Sequence, residues 1–320
     1  MYYSLVNRFQ GALLGVALGD CFDRVVQGKR AAPDRRFQPP VPLLLSSASV
    51  PDPEFLPSEA RSVGEPLIEL IRHLIQIGSS APSALPPMAG LGASASASQM
   101  AILTLPIHLF YHENSQILEQ QLCQVLAGLP QASTSYQQVL MVGLLVGQVL
   151  THQFHPHSFV APLQKELTRL LHTRPNPALI SALETVQQLL QHRASLQTAW
   201  GHLSSLPDLD PTIALALYCF LSAPQHLELG ILRSARLSYQ LPHISALTGM
   251  LAGAAITTAG LPLEWQAVLT DPACLLMANR TGRELRQLAT YLLAVWSGAE
   301  DPATFSAVAP AIAAPGVSCW

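Results

Sequence analysis

The chain has 320 residues, of which 49% are hydrophobic and only 12% carry a charge. Soluble proteins average about 25% charged residues, and disordered chains are more polar still, so this composition excludes a mainly disordered protein. The net charge of −3 and the lack of a basic stripe argue against binding to nucleic acid. A chain of this length can bury a sizeable core without disulfides.

The hydrophobic bias raises the question of a membrane span, which needs about 20 mostly apolar residues. The strongest candidate, residues 244–261, contains Ser245, Thr248, Thr257 and Thr258, and we interpret it as a buried helix. The N-terminus lacks the charged region and cleavage site that are typical of a signal peptide. The five cysteines are scattered without a CxxC pair, which indicates neither a disulfide framework nor a thiolate metal site. We therefore expect a cytoplasmic protein without a membrane span.

Apolar residues recur at offsets of three and four through most of the chain, a pattern that predicts helices. The alternation typical of strands is missing from the sequence, so we expect an all-α fold. Asp208 or Asp210, followed by Pro211, is a plausible helix start. The predicted helices span residues 65–77, 100–111, 115–126, 136–151, 159–172, 178–191, 212–221, 227–237, 244–261 and 284–296.

Three stretches interrupt this pattern. Residues 28–64 are rich in proline, arginine and serine, and residues 79–99 are of low complexity. The end of the chain, from residue 298 to 320, is a tail rich in alanine and proline. We predict one α domain over residues 1–297, with 28–64 as a proline-rich insertion loop.

Glycines spaced by four residues are the most informative local feature. Such glycines lie on one face of a helix and allow a second helix to approach closely. Each costs about 1 kcal/mol in a helix interior, so close packing must compensate. The sequence therefore predicts closely packed helices around Gly11, Gly15 and Gly19, around Gly143 and Gly147, and around Gly249 and Gly253.

Four segments together resemble the ADP-ribosylglycohydrolase family. Residues 8–20 look like its opening helix, which ends in a Gly-Asp pair, and residues 99–111 resemble the helix after its Gly-Asn-Gly loop. Residues 211–237 are similar to the helix pair that leads to its metal site, and residues 244–265 to its last core helix. The segments occur in the family's order, and the resemblance implies a compact orthogonal multi-helix bundle.

The resemblance also implies a chemistry. Members of the family hold two Mg²⁺ ions and hydrolyse the N- or O-glycosidic bond of ADP-ribose. Their metals are held by a Thr/Ser-Asp-Asp-Thr segment and a Gly-Gly-Asp-Thr-Asp-Thr segment. Hard dications prefer such carboxylate and hydroxyl oxygens, and they activate a bound water.

This sequence departs from the second metal segment of the family. By alignment to the following helix, Ser238 and Tyr239 stand where two glycines belong. Gln240 and Pro242 replace the two aspartates, and His243 replaces the threonine. Gln240 offers one neutral oxygen, Pro242 offers no side-chain ligand, and neutral His243 suits softer metals than Mg²⁺.

The first metal segment is also altered. Gly64 and Glu65 stand near the place of the aspartate pair, and the substrate loop has become an Ala-Ser alternation that ends at Ser98. One carboxylate cannot balance the four positive charges of two dications. We therefore predict no metal, no cofactor and no catalytic residue. The vestigial cleft that we expect instead comprises Asp20, Glu65, Ser98, Tyr239, Gln240 and His243.

The function expected from this reasoning is that of a catalytically degenerate family member that binds a protein partner as a regulatory or assembly factor. Only two lysines accompany fifteen arginines, and an amide-rich surface of this kind favours association with a partner or with a second copy. A retained cleft could accept an ADP-ribose-like ligand. The alternatives are an active hydrolase rebuilt around Glu65, Asp20 and His243, and a structural assembly factor that contacts its partner through the loop 28–64.

Two other groups of side chains were considered. The cluster around His152, His155 and His157 is interpreted as a solvated loop between two helices, since a structural zinc site usually needs four well-placed ligands. Asp20 either forms a carboxylate pair with Asp23 or is a residue of a C-terminal helix turn, and the sequence leaves both open.

Overall fold

The structure is a computed structural model, and it describes residues 4–28, 64–78, 95–127, 130, 133–206, 208–259, 261–270 and 280–299. These residues form fourteen helices and no β-strand, which confirms the all-α prediction. The helices are α1 Leu5–Gly28, α2 Gly64–Ile77, α3 Ala97–Leu103, α4 Leu105–Phe110, α5 Ser115–Val125, α6 Thr134–Leu150, α7 Val160–Leu171, α8 Pro177–Gln191, α9 Leu196–Leu203, α10 Pro211–Leu221, α11 Leu227–Ala235, α12 Ile244–Ile256, α13 Leu263–Thr270 and α14 Gly282–Trp296.

The centre of the fold is an antiparallel pair of helices, α1 and α12, which pack backbone against backbone. A Cβ atom added to Gly15 would lie 2.0 Å from the carbonyl oxygen of Gly249, and one added to Gly249 would lie 2.1 Å from the oxygen of Gly15. The same approach joins Gly11 to Gly253 and Gly19 to Ser245. The glycine spacing predicted close packing at these helices, because residues without a side chain permit it, whereas the pairing of α1 with α12 comes from the structure.

The other helices enclose this pair. Helices α10, α11 and α14 contact it directly, and α6 packs against α3 and α4. The remaining glycine pair lies on α6, where Gly143 faces the ring of His108 and Gly147 faces the backbone of His112. Burial lowers the pKa of His108 to about 3 and that of His112 to about 4, so both rings pack as neutral groups.

The structure corrects the predicted ends of several helices. Helix α1 does not end at Asp20 but continues to Gly28, because no helix breaker intervenes. The predicted helix 100–111 is divided at Thr104, whose hydroxyl donates to the carbonyl of Met100, since Pro106 cannot donate a backbone hydrogen bond.

Two further corrections concern the second half of the chain. Helix α12 ends at Ile256 and not at residue 261, because Thr257 has a positive φ of 60°. Helices α9 and α13, each of eight residues, were missed because two helical turns carry too few apolar residues to set a period. Asp210, and not Asp208, caps α10 by accepting the backbone N–H of Thr212 at 3.0 Å.

Among the described residues, no helix has both the length and the apolar character needed to cross a membrane. The predicted insertion loop and tail fall outside the described residues, apart from their first or last positions.

Candidate functional site

The best-defined polar site lies where α1 meets the N-terminus of α12. Asp23 of α1 is only 2% exposed, and its carboxylate accepts the backbone N–H groups of Ser245 at 3.1 Å and Ala246 at 3.2 Å. It also accepts a hydrogen bond from the hydroxyl of Ser238. The first N–H groups of a helix lack partners within that helix. Asp23 therefore caps α12 from a different helix.

This cap replaces one that the local sequence does not supply. The residue at the N-cap position of α12 is His243, which has a left-handed backbone with φ 69° and makes no side-chain capping bond. N-cap residues normally accept these bonds through a short polar side chain in an extended backbone conformation. The burial of Asp23 beside α12 is thus a structural requirement of this helix start.

The electrostatics of Asp23 reflect its burial. Burial raises the pKa of the Asp23 carboxyl to about 7, although its hydrogen bonds with Ser238 and Ser245 act in the opposite direction. The neighbouring carboxylate of Asp20 raises it further. Asp23 therefore exchanges its proton near neutral pH, inside the core of the protein.

Asp20 is the second buried carboxyl of this site. Its Oδ2 atom lies 2.5 Å from Nη2 of Arg24, one helical turn further along α1. Burial raises the pKa of Asp20, against the opposing effects of Arg24 and His243. The carboxyls of Asp20 and Asp23 are close enough to interact electrostatically. Asp20 is not a residue of a C-terminal turn, because α1 continues to Gly28.

The turn between α11 and α12 carries residues 238–243, which the sequence alignment predicts to correspond to the second metal segment. The hydroxyl of Ser238 is committed to Asp23, whereas Tyr239, Gln240 and Pro242 are exposed. The turn is held by its own backbone, in which the N–H of Gln240 donates to the carbonyl of Leu237 at 2.9 Å. His243 is buried at the end of the turn, close enough to Asp20 to influence its pKa.

The two remaining residues of the predicted cleft lie on other helices. Glu65 is exposed in the first turn of α2, which packs mainly against α14, α4 and α3. Ser98 is buried in the first turn of α3, where its backbone N–H donates to Oδ2 of Asp210 at 2.8 Å. Asp210 thereby caps α3 as well as α10. The sequence reasoning missed its role at α3, because nothing in a sequence marks a contact 112 residues away.

The residues of this region do not fit the two Mg²⁺ ions that the resemblance implies. The carboxylate of Asp23 is occupied by three hydrogen-bond donors, and that of Asp20 by Arg24. No group of three or more His, Cys, Asp or Glu side chains in the described part of the chain is arranged to hold a metal ion. Two dications need several free oxygen ligands.

Comparison with known proteins is in keeping with this fold. The sequence model of the ADP-ribosylglycohydrolase family matches residues 52–302, and the chain belongs to that family. A solved structure of an ADP-ribosylglycohydrolase-related protein complex covers 91% of this chain and 99% of its own, with a TM-score of 0.53 and 18% identity, which confirms the fold. No curated protein sequence matches the chain.

Proposed function

We propose that this member of the ADP-ribosylglycohydrolase family is catalytically degenerate and acts by binding a partner protein. The observation that carries the proposal is the composition of residues 238–243, which contain no carboxylate. In the alignment that starts from the following helix, Gln240 and Pro242 replace the metal-binding aspartates. A binuclear magnesium centre without these carboxylates is left with an uncompensated charge of four.

The use of the nearby carboxylates supports the same proposal. Asp23 has become the cap of α12, and Asp20 is neutralised by Arg24. Either group would have to give up these interactions in order to bind a metal ion. A carboxylate whose pKa lies near 7 also holds a proton at neutral pH, and that proton competes with the metal.

The binding role is supported by the surface. Only 12% of the residues of the chain are charged, and the solved structure that it resembles is of a complex. A surface with little charge favours association with other proteins. The rival proposal, an active hydrolase rebuilt around Glu65, Asp20 and His243, would require the exposed Glu65 to reach two buried side chains.

Calorimetric titration with Mg²⁺ and with Mn²⁺ tests the loss of the metal centre. The chelator-treated full chain is titrated above pH 8, where Asp23 is deprotonated and metal binding is most favoured. We expect no saturable heat in the millimolar range of either ion. Saturable binding that is weakened by Asp20→Asn or Glu65→Gln, but not by Asp208→Asn at an exposed position, would establish the rebuilt hydrolase site instead.

A further inference from the structure

We propose that the outward face of α11 and of the turn after it binds an acidic segment of a partner protein. This inference rests on the proposed function, because it names a surface and a partner chemistry for the binding protein proposed above. The residues that form this surface, called the α11 face, are Leu229, Leu232, Arg233, Arg236, Tyr239 and Gln240.

The α11 face is continuous along the chain. Leu229 and Arg233 lie four residues apart on one side of α11, and Arg236 and Gln240 follow in the turns directly after it. Helix α11 ends at Ala235, but backbone hydrogen bonds continue the helical turns beyond it. The N–H of Leu237 donates to Ser234 at 2.8 Å, and that of Leu241 to Leu237 at 2.9 Å.

The α11 face exposes the large apolar side chains of the described surface. Leu229 is 46% exposed and Tyr239 is 51% exposed, and within the described ranges no other large hydrophobic side chain is as exposed as these two. The half-buried Leu232 lies between them along the chain. Tyrosine and arginine, which are both exposed on this face, are enriched in interfaces where binding energy is concentrated.

The charges of the α11 face indicate that its partner carries carboxylates. Arg233 and Arg236 form no ion pair with any described residue, since the ion pairs found there involve Arg24, Arg169 and Arg280. Arg233 donates only a long bond of 3.5 Å to the carbonyl of Ser222. The single acidic residue of α11, Glu228, lies at the start of the helix. The face is therefore positive, and it complements carboxylates that stand beside apolar side chains.

The same charges disfavour a second copy of this chain as the occupant. A two-fold contact brings one surface against itself. Arg233 and Arg236 of one copy would then approach the same two arginines of the other, and like charges placed together in an interface are repulsive. An acidic partner meets no such repulsion.

Site-specific photocrosslinking tests this inference in the native cell. The full chain carries p-benzoylphenylalanine in place of Tyr239, with a control chain that carries it in place of the exposed Gln164 of α7, which packs against α5, α6 and α8. We expect adducts at position 239 whose cross-linked partner peptide is rich in Asp or Glu. Arg236→Glu is expected to lower the adduct yield about tenfold, and Arg236→Lys to retain most of it.

Four results would overturn the inference. These are the same adducts at position 164, a cross-linked peptide that is not acidic, a link within one chain or between two copies, and no adduct at position 239. Since Arg236 is exposed, its variants are expected to fold, and their thermal unfolding serves as the check. If no cross-link forms and the protein also binds no metal, only this inference is contradicted. Saturable Mg²⁺ binding would contradict the proposed function itself.

Discussion

Gly15→Ala is expected to lower the free energy of unfolding by at least about 3 kcal/mol, because it forces the two central helices apart. The new Cβ atom would lie 2.0 Å from the carbonyl oxygen of Gly249 and 2.6 Å from its carbonyl carbon. Both are backbone atoms of a buried helix, and neither can rotate away as a side chain would. Separation of α1 from α12 would also loosen the contact between Gly11 and Gly253 one turn away.

The measurement is urea unfolding of Gly15→Ala beside a matched control, Gly201→Ala. Gly201 lies inside α9 with no atom within 4 Å of an added Cβ. The control is expected to gain about 0.5 to 1 kcal/mol, as alanine does in place of an exposed helical glycine. If the two variants shift the midpoint in the same direction and by similar amounts, the close packing of α1 on α12 is contradicted.

Asp23→Ala is expected to cost about 3 kcal/mol, because it leaves three buried donors without an acceptor. These donors are the N–H groups of Ser245 and Ala246 and the hydroxyl of Ser238. Asp23→Asn is expected to cost less, since its amide oxygen can still accept. Asp208→Asn serves as the matched control, because Asp208 is exposed and its positive φ of 59° suits asparagine; we expect a change within about 0.5 kcal/mol.

The pH dependence separates the charge of Asp23 from its capping role. Its pKa rises from 3.8 in the unfolded chain to about 7 in the fold, so the folded state holds the proton more tightly. The resulting stabilisation is complete below about pH 3.8 and is lost as the pH rises through 7. Between pH 5 and 7, wild type should lose roughly 2 kcal/mol relative to Asp23→Asn. Parallel pH profiles of the two proteins would contradict a buried, titrating Asp23.

The glycine spacing and the order of the family segments were sufficient to predict the fold. Spacing by four is a property of one helix, and it indicates the close approach whatever the partner is. The sequence did not identify the partner of α1, because glycine pairs occur both at Gly143 and Gly147 and at Gly249 and Gly253, and only the second pair packs against α1. The local sequence did not predict the break at Thr104, where a side-chain hydrogen bond ends one helix and a proline begins the next.

The candidate site was less accessible from the sequence. Asp23 caps a helix that begins more than 200 residues further along the chain, and no local pattern marks such a contact. Helix α12 needs this cap because His243, with its left-handed backbone, does not cap the helix itself. The sequence alone does not distinguish a left-handed histidine from an extended one. The expected cleft of Asp20, Glu65, Ser98, Tyr239, Gln240 and His243 stays a prediction.

A catalytically degenerate protein is expected not to hydrolyse ADP-ribosyl bonds, and the release of ADP-ribose tests this expectation most directly. Peptides that carry ADP-ribose on arginine or on serine are incubated with the full chain and millimolar MgCl₂, beside an active hydrolase of the family, and free ADP-ribose is measured by mass spectrometry. We predict no release above that of buffer for either linkage. Release of ADP-ribose in proportion to the amount of this protein, whether with Mg²⁺ or with a chelator, would contradict the proposed loss of catalysis.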